Sequence, residues 1–273
     1  MTGFGDRLAA AVATRGSQIV LGLDPDPARV PGGAAGAERF CREVIAAAGE
    51  HCVAAKPQLA CFERFGTDGW AAFEDVAAAA HDAGLLVIAD AKRGDIDATA
   101  RAYAEAFLRD PVDALTVNPL LGADAVAPFI EAATASGRGL FILVRTSNPG
   151  AADLQDLRLA DGRLWHEALA AHVARWGEPS VGASGLSAVG AVVGATVPQR
   201  LVDLRAAMPN QPFLLPGVGA QGGRPEDLGA AFGGRASGAL VSASRSIIYA
   251  DDPGRAADDL RRVVWAAWES VAG

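Results

Sequence analysis

The sequence contains almost no lysine. Of its 24 basic residues, only Lys56 and Lys92 are lysine and the other 22 are arginine. Arginine stays charged, whereas the lysine ammonium is compact and can give up a proton. A surface lysine can be exchanged for arginine at little cost. We therefore expect the two lysines to lie at positions where arginine cannot replace the function of lysine. Accidental leftovers of a compositional bias are the alternative, which is weakened because both lysines follow apolar, strand-like runs.

Other shortages exclude whole classes of protein. A net charge of −8 argues against nucleic acid or an anionic membrane as a partner, although local basic sites for a small anion remain possible. The three cysteines are Cys41, Cys52 and Cys61, and they lack metal-ligand or Cys-x-x-Cys spacing. This pattern predicts buried free thiols in a reducing cytoplasm. No stretch reaches the roughly 18 uncharged apolar residues of a membrane span, and the N-terminus lacks a signal-peptide core.

Eight short apolar runs alternate with helical segments. The predicted strands cover residues 18–23, 51–55, 85–89, 114–117, 139–144, 191–195, 213–215 and 239–243. Such alternation predicts a parallel sheet, and eight units in about 250 residues predict a closed (β/α)8 TIM barrel. An open doubly wound sheet is the competitor, but residues 22–25 are not its dinucleotide fingerprint. We therefore expect a single α/β barrel domain over residues 1–273, with a leading helix at about 6–14 and a polar loop at 151–162.

Polar side chains follow seven of the eight predicted strands. They are Asp24, Lys56, Asp90, Lys92, Asn118, Ser147, Gln221 and Arg245. Several have a plain alternative role, since Asp24, Asn118 and Ser147 are residue types that cap turns or helices. In such a barrel, however, the active site is built at the carboxyl ends of the strands. Their convergence on that rim predicts a site there.

The densest charge cluster lies at residues 90–99, after the third predicted strand. Asp90 and Lys92 are two residues apart, so their side chains point the same way from a strand. Asp95 and Thr99 are four apart and would share one face of the next helix. We interpret Asp97 as a cap or a solvated residue. Carboxylates beside ammonium groups hold each other charged, and such an array can donate a proton, repel a substrate carboxylate or stabilise a carbanion.

A glycine-rich segment at 217–223 follows the seventh predicted strand, and Arg245 follows the eighth. These two loops are the usual phosphate site of the barrel, and arginine binds phosphate as a bidentate fork. A phosphorylated substrate is therefore predicted; a flexible loop with a surface arginine is the alternative. The sequence has no His/Cys metal cluster and no nucleophile elbow, and we predict neither a metal nor a cofactor.

The motif Asp-Ala-Lys-Arg-Gly-Asp-Ile at 90–96 resembles the signature of the orotidine 5′-phosphate decarboxylase family. Segments 23–25, 56–58, 146–150, 193–196 and 216–223 are similar to those of its longer, type 2 bacterial subgroup. The resemblance extends from about residue 18 to 250. It implies conversion of orotidine 5′-phosphate to UMP and CO2, the last step of de novo pyrimidine synthesis, with no metal or organic cofactor.

The resemblance also implies catalytic roles. Lys92 would protonate C6 of the pyrimidine as CO2 leaves, and Asp90 would lie against the substrate carboxylate. Asp95 would come from the partner subunit of a homodimer and would complete the charged array with Lys56.

Substrate-binding roles follow in the same way. Asp24 and Lys56 would bind ribose hydroxyls, with Thr99 helping from across the interface. Ser147 would bind the pyrimidine, Gln221 would bridge base and phosphate, and Arg245 with the amides of 217–223 would hold the phosphate. The resemblance also places Ile96, Pro216 and Gly222 at the substrate.

Two positions depart from the family pattern. Ser244 replaces the usual glycine before the phosphate arginine, which puts the backbone contact there in doubt. Leu120 stands where the subgroup often has tyrosine, and we expect an effect on packing only.

Three rival functions differ in what they require. Related Mg2+-dependent sugar-phosphate decarboxylases share an Asp-x-Lys-x-x-Asp motif, but they would not need base contacts from Ser147 and Gln221. A class I aldolase would use Lys92 as a Schiff base. A non-catalytic nucleotide-binding protein would not need the intact charged array.

Overall fold

The computed structural model describes residues 2–219 and 222–272. Its parallel strands close into a barrel in which each strand pairs with the next and β8 pairs with β1. Strands β1 to β8 cover Ile19–Leu23, Ala54–Pro57, Leu86–Arg93, Ala114–Val117, Gly139–Arg145, Val189–Val193, Phe213–Pro216 and Ala239–Ala243. The predicted TIM barrel is confirmed.

Helices connect the strands and surround the barrel. In the described residues, α1 to α11 cover Phe4–Arg15, Gly33–Ala48, Leu59–Glu63, Gly66–Asp82, Asp97–Phe107, Ala123–Ala135, Ala151–Gln155, Trp165–Gly177, Leu201–Ala207, Arg245–Ile248 and Pro253–Ala272. Short 3-10 turns add Gly49–His51, Glu178–Ser180, Pro198–Arg200, Pro225–Phe232 and Ala236–Gly238.

The strands bury both faces, as their continuous apolar runs require. Outward side chains such as Leu21 and Leu115 belong to one large core with the surrounding helices, and inward ones such as Ile88 belong to a second core inside the barrel. Helix α1 closes the amino ends of the strands, where Phe4 meets Phe141 edge to face at 6.0 Å between ring centroids. This leaves the carboxyl ends of the strands free for a site.

Several predicted boundaries shift, and three of the shifts matter for the site. Strand β2 begins at Ala54 and includes Lys56, so this lysine is part of the sheet. Strand β3 continues through Lys92 to Arg93 instead of ending before Asp90. The sixth strand is Val189–Val193, two residues earlier than predicted, because its pairing with β5 starts at Val189.

Two predictions about connecting segments are wrong in detail. The segment 151–162 is not purely loop, because its first residues form the short helix α7. Helix α5 begins at Asp97 with Ile96 as its N-cap residue, so Asp95 precedes the helix and does not share a helical face with Thr99. Asp97 has a φ of 46°, in the left-handed region; its side chain does not cap the helix and is exposed, as the solvated alternative predicted.

Candidate active site

A cavity of about 420 Å³ opens at the carboxyl ends of the strands. Residues from all eight strands or the loops after them line it, as expected for this barrel. Seven of the predicted site residues are among them: Asp24, Lys56, Asp90, Lys92, Ser147, Pro216 and Arg245. The folded chain therefore brings together residues that are far apart in sequence.

Asp90 lies between the two lysines of the chain. Lys56 Nζ donates to Asp90 Oδ2 at 2.6 Å, and Lys92 Nζ donates to Oδ1 at 2.5 Å. The side chains of Asp90 and Lys56 are 9% and 8% exposed, whereas that of Lys92 is 44% exposed. The array thus consists of a buried ion pair and a second ammonium that faces the cavity.

The two lysines keep Asp90 ionised. Burial alone would raise the pKa of Asp90, but the charges of Lys56 and Lys92 and their hydrogen bonds outweigh burial and hold this pKa well below its usual range. Burial alone would lower the pKa of Lys56, but the charges of Asp90 and Asp24 outweigh it and raise this pKa. The pair therefore presents fixed charges to a ligand.

Two neutral side chains complete the hydrogen bonding of Asp90. Gln58 Nε2 donates to Oδ2 at 3.1 Å, and Thr116 Oγ1 donates to Oδ1 at 3.1 Å. Neither residue was among the site residues predicted from the sequence. A signal existed for Thr116, which is the only polar residue of the strand Ala114–Val117 and lies on its inward face.

A buried oxygen of Asp24 is unpaired at the cavity. Asp24 Oδ1 is shielded from solvent and has no hydrogen-bond partner among residues 2–219 and 222–272. A buried acceptor without a partner is costly unless a ligand or water supplies a donor. Asp24 is therefore suited to accept a hydrogen bond from a bound hydroxyl group.

Two contacts anchor the residues directly before Ser147. Gln155 of α7 accepts from the backbone N of Thr146 at 2.7 Å, and Arg145 makes a two-bond ion pair with Asp156 at 2.9 Å for each bond. The hydrogen bond from Arg145 is the main cause that lowers the pKa of Asp156. The segment 151–162 thus fixes the end of β5 at the cavity wall.

Gly194 lets the end of β6 pack closely against Ser147 at the cavity wall. A side chain at Gly194 would come within 2.8 Å of Ser147 Cα, so the end of β6 can approach Ser147 only because residue 194 is glycine.

In the glycine-rich loop after β7, backbone amides donate hydrogen bonds to carbonyls of the same loop. The N–H groups of Gly219, Gly222 and Gly223 donate to the carbonyls of Gly223, Gly219 and Gly217, at 2.9, 2.9 and 3.0 Å. In this conformation these three amides are not free to bind an anion, which differs from the predicted nest.

Arg245 lines the cavity and is exposed, so its guanidinium is accessible to an anion. Gln221 lies outside the described residues.

The chain resembles known proteins over nearly its whole length. Residues 17–260 match the model of the orotidine 5′-phosphate decarboxylase / HUMPS family. The chain belongs to this family. Orotidine 5′-phosphate decarboxylases of Rhodopirellula baltica and Haloarcula marismortui are 42% and 46% identical to it, over 92% and 91% of this chain and 89% and 88% of theirs. The solved structure of Leishmania donovani OMP decarboxylase superposes with a TM-score of 0.84 at 36% identity, covering 98% of this chain and 100% of that one.

Four residues predicted from the family signature and glycine loop do not line this cavity. They are Asp95, Ile96, Thr99 and Gly222. Asp95 Oδ1 accepts from the adjacent Ile96 N at 2.8 Å, and Ile96 and Thr99 are exposed. The segment after β3 therefore points its side chains away from the cavity of its own chain.

Three further positions singled out in the sequence lie at or near the rim of the barrel. Asn118 is exposed and accepts from Leu120 N at 3.1 Å, which is the turn-capping alternative and not a cavity contact. Leu120 is 68% exposed, and the expected effect of leucine there on packing stays a prediction. Ser244 lines the cavity, and its buried hydroxyl has no partner within the described part of the chain.

Residues 2–219 and 222–272 lack two further kinds of feature. No helix there is long and apolar enough to span a bilayer. No three His, Cys, Asp or Glu side chains there are grouped in a way that could hold a metal ion.

Proposed function

We propose that the protein decarboxylates orotidine 5′-phosphate to UMP and CO2, the last step of de novo pyrimidine synthesis, with no metal or organic cofactor. The protein is an enzyme of the carboxy-lyase class. The observation that carries the proposal is the Lys56–Asp90–Lys92 array at the cavity of a chain that belongs to this family.

Lys92 is the proposed proton donor. As the bond between C6 and the carboxylate carbon breaks, its electron pair remains on C6 and CO2 leaves. The Lys92 ammonium gives a proton to C6, so that the product is UMP and the lysine is left neutral until it takes up a proton from solvent. Support comes from the 44% exposure of Lys92 at the cavity, where its ammonium can reach a ligand while it stays bonded to Asp90.

Asp90 is the proposed destabiliser of the substrate carboxylate. It stays ionised next to a ligand carboxylate because two ammonium groups hold its pKa low. Repulsion between the two carboxylates disappears when neutral CO2 forms, whereas attraction between Lys92 and the developing carbanion grows. Both effects favour the transition state over the bound substrate.

Asp95 and Thr99 are proposed to act in the second active site of a homodimer. They lie on an exposed segment away from their own cavity, and nearby apolar side chains on the same rim are exposed: Ile96 50%, Leu120 68% and Leu121 53%. An apolar rim of this kind is suited to a subunit interface. Ile96 of one subunit would then contact the substrate of the other.

The remaining proposed contacts divide between the sugar, the base and the phosphate. Asp24 accepts a hydrogen bond from a ribose hydroxyl through its unpaired Oδ1, and Lys56 donates one to a ribose hydroxyl. Ser147 binds the pyrimidine beside Pro216, Gln221 bridges base and phosphate, and Arg245 binds the phosphate. Gly222 contributes only when the loop rearranges and frees its amide from the Gly219 carbonyl.

Three broader proposals accompany this function. Residues 1–273 form one barrel domain, and the protein is a member of the type 2 bacterial subgroup because of the motifs at 23–25, 146–150 and 216–223. A cytoplasmic location is supported by Cys41, Cys52 and Cys61, which are free thiols.

The proposal is tested by adding purified protein to orotidine 5′-phosphate in EDTA and following substrate absorbance. Rapid loss with formation of UMP supports both the reaction and its independence of metal. The second candidate is a Mg2+-dependent sugar-phosphate decarboxylase, which would share the Asp-x-Lys-x-x-Asp motif at residues 90–95. No loss of absorbance, together with Mg2+-dependent turnover of a sugar-phosphate acid, would favour that candidate. Tight UMP binding without either activity would favour a binding protein.

A further inference from the structure

The pairing between β3 and β4 is irregular beside the charged array. Ile88 and Ala89 pair with Ala114 and Leu115, but the next pair is Arg93 with Val117. The chain therefore advances four residues on β3 and two on β4, which is a bulge of two extra residues. Asp90 and Lys92 both lie inside this bulge.

Lys92 has a backbone conformation that L residues rarely adopt. Its φ is 49°, in the left-handed region. A non-glycine residue keeps such a conformation only where its surroundings hold it in place. The contact that holds Lys92 in place thereby also fixes the direction in which its side chain leaves the backbone.

The Thr116 hydroxyl makes that contact. The backbone N–H of Lys92 donates to Thr116 Oγ1 at 2.9 Å, and Oγ1 donates to Asp90 Oδ1 at 3.1 Å. One hydroxyl has a proton to donate and lone pairs to accept, so it can make both bonds together. Thr116 is only 1% exposed, and Asp90 Oδ1 is the oxygen that also accepts from Lys92 Nζ.

We infer that Thr116 is a positioning residue for the reaction: its hydroxyl replaces the regular ladder bond at the bulge and aligns Lys92 with Asp90. Without the hydroxyl, the Lys92 N–H and Asp90 Oδ1 both lose a partner, and the bulge loses its link between backbone and carboxylate. The ammonium then spends less time in line with the reacting carbon. This inference rests on the proposed role of Lys92 as proton donor.

Thr116→Val removes the hydroxyl and keeps the branched shape, whereas Thr116→Ser keeps the hydroxyl and removes the methyl group. We expect kcat to fall by about 10- to 100-fold in Thr116→Val, the effect of lost hydrogen bonds near a charged group. KM and the dissociation constant of UMP should change by less than about threefold, because binding contacts are untouched. Thr116→Ser should keep kcat within about threefold of the parent enzyme.

A second pair of variants keeps the inference testable if Thr116→Val folds poorly. Thr116→Ser and Thr116→Ala both lack the methyl group and differ only in the hydroxyl, so kcat should be lower in Thr116→Ala by about the same 10- to 100-fold. Equal kcat values in the serine and alanine variants would overturn the inference. A loss confined to KM would also overturn it, since Thr116 would then act in binding.

The inference and the role of Lys92 can fail separately. Full turnover by Lys92→Ala would remove the proton-donor role on which the inference rests. An inactive Lys92→Ala beside a fully active Thr116→Val would overturn only the inference about Thr116.

Discussion

Two carboxylates at opposite ends of the barrel are equally buried but differ in their partners. Asp90 and Asp113 are each 7% exposed. Asp113 lies before β4, at the end of the barrel closed by α1, where it pairs with Arg7 and accepts from Val87 N at 2.9 Å. Asp90 lies at the open end and pairs with two lysines.

This difference in partners distinguishes an ion pair that stabilises the fold from one that faces the cavity and can act on a ligand. Arg7 also donates to the carbonyl of Gly137 at 3.0 Å, so it ties α1 to the segments that precede β4 and β5. Lys92 has one ammonium hydrogen bond to Asp90 and an open side at the cavity. In a chain with 22 arginines and two lysines, both lysines are at Asp90 and neither is at Asp113.

The largest expected effect is that of Lys92→Ala at the open end. Loss of the general acid should lower kcat by about 10²- to 10⁴-fold, while UMP binding remains largely in place. Decarboxylation is followed by absorbance and UMP binding by calorimetry. Lys92→Arg is the matched control: it keeps the positive charge but cannot readily give up a proton, and it should be similarly slow. Near-normal turnover in Lys92→Ala would contradict the role given to Lys92.

Asp113→Asn at the closed end should affect stability instead. The amide cannot accept as strongly from both Arg7 and the Val87 N–H, and we expect the free energy of unfolding to fall by about 1–3 kcal/mol. Because the cavity is at the other end, kcat should stay within about twofold. Urea denaturation and steady-state assays measure the two quantities. A large loss of kcat in a folded variant would show that the two ends are coupled.

The smallest expected effect concerns pH. The lowered pKa of Asp90 means that its contribution to stability is fully present above its unfolded pKa of about 3.9 and is lost as pH falls through the lower folded value. The raised pKa of Lys56 means that its contribution is fully present below about 10.4 and is lost as pH rises through the higher folded value. Both groups therefore stay charged between about pH 5 and 9. We expect no inflection of kcat from this pair in that range; an inflection that moves in Lys56→Arg would contradict this.

The sequence was sufficient for the barrel because buried parallel strands are short continuous apolar runs with polar ends. It was also sufficient for most of the cavity, since carboxyl ends of parallel strands meet at one rim. The single polar residue of strand β4 was a signal for Thr116 as a site residue. Its hydrogen bond to Asp90 and that of Gln58 could not be predicted, because bonds across strands depend on register and on the β3 bulge. The internal hydrogen bonds of Gly219, Gly222 and Gly223 likewise depend on the fold of their loop, since glycine is compatible with many loop conformations.

The most direct test of a site shared between subunits is to mix Lys92→Ala and Asp95→Ala chains, unfold or dissociate them together, and assay the reassembled dimers. Each mixed dimer would contain one site with an intact Lys92 from one chain and an intact Asp95 from the other. Random pairing should restore about a quarter of the parent activity, because half of the dimers are mixed and each has one working site. Each variant assembled alone should stay at its own low activity. Absence of recovery in dimers verified as mixed would contradict the contribution of Asp95 across the interface.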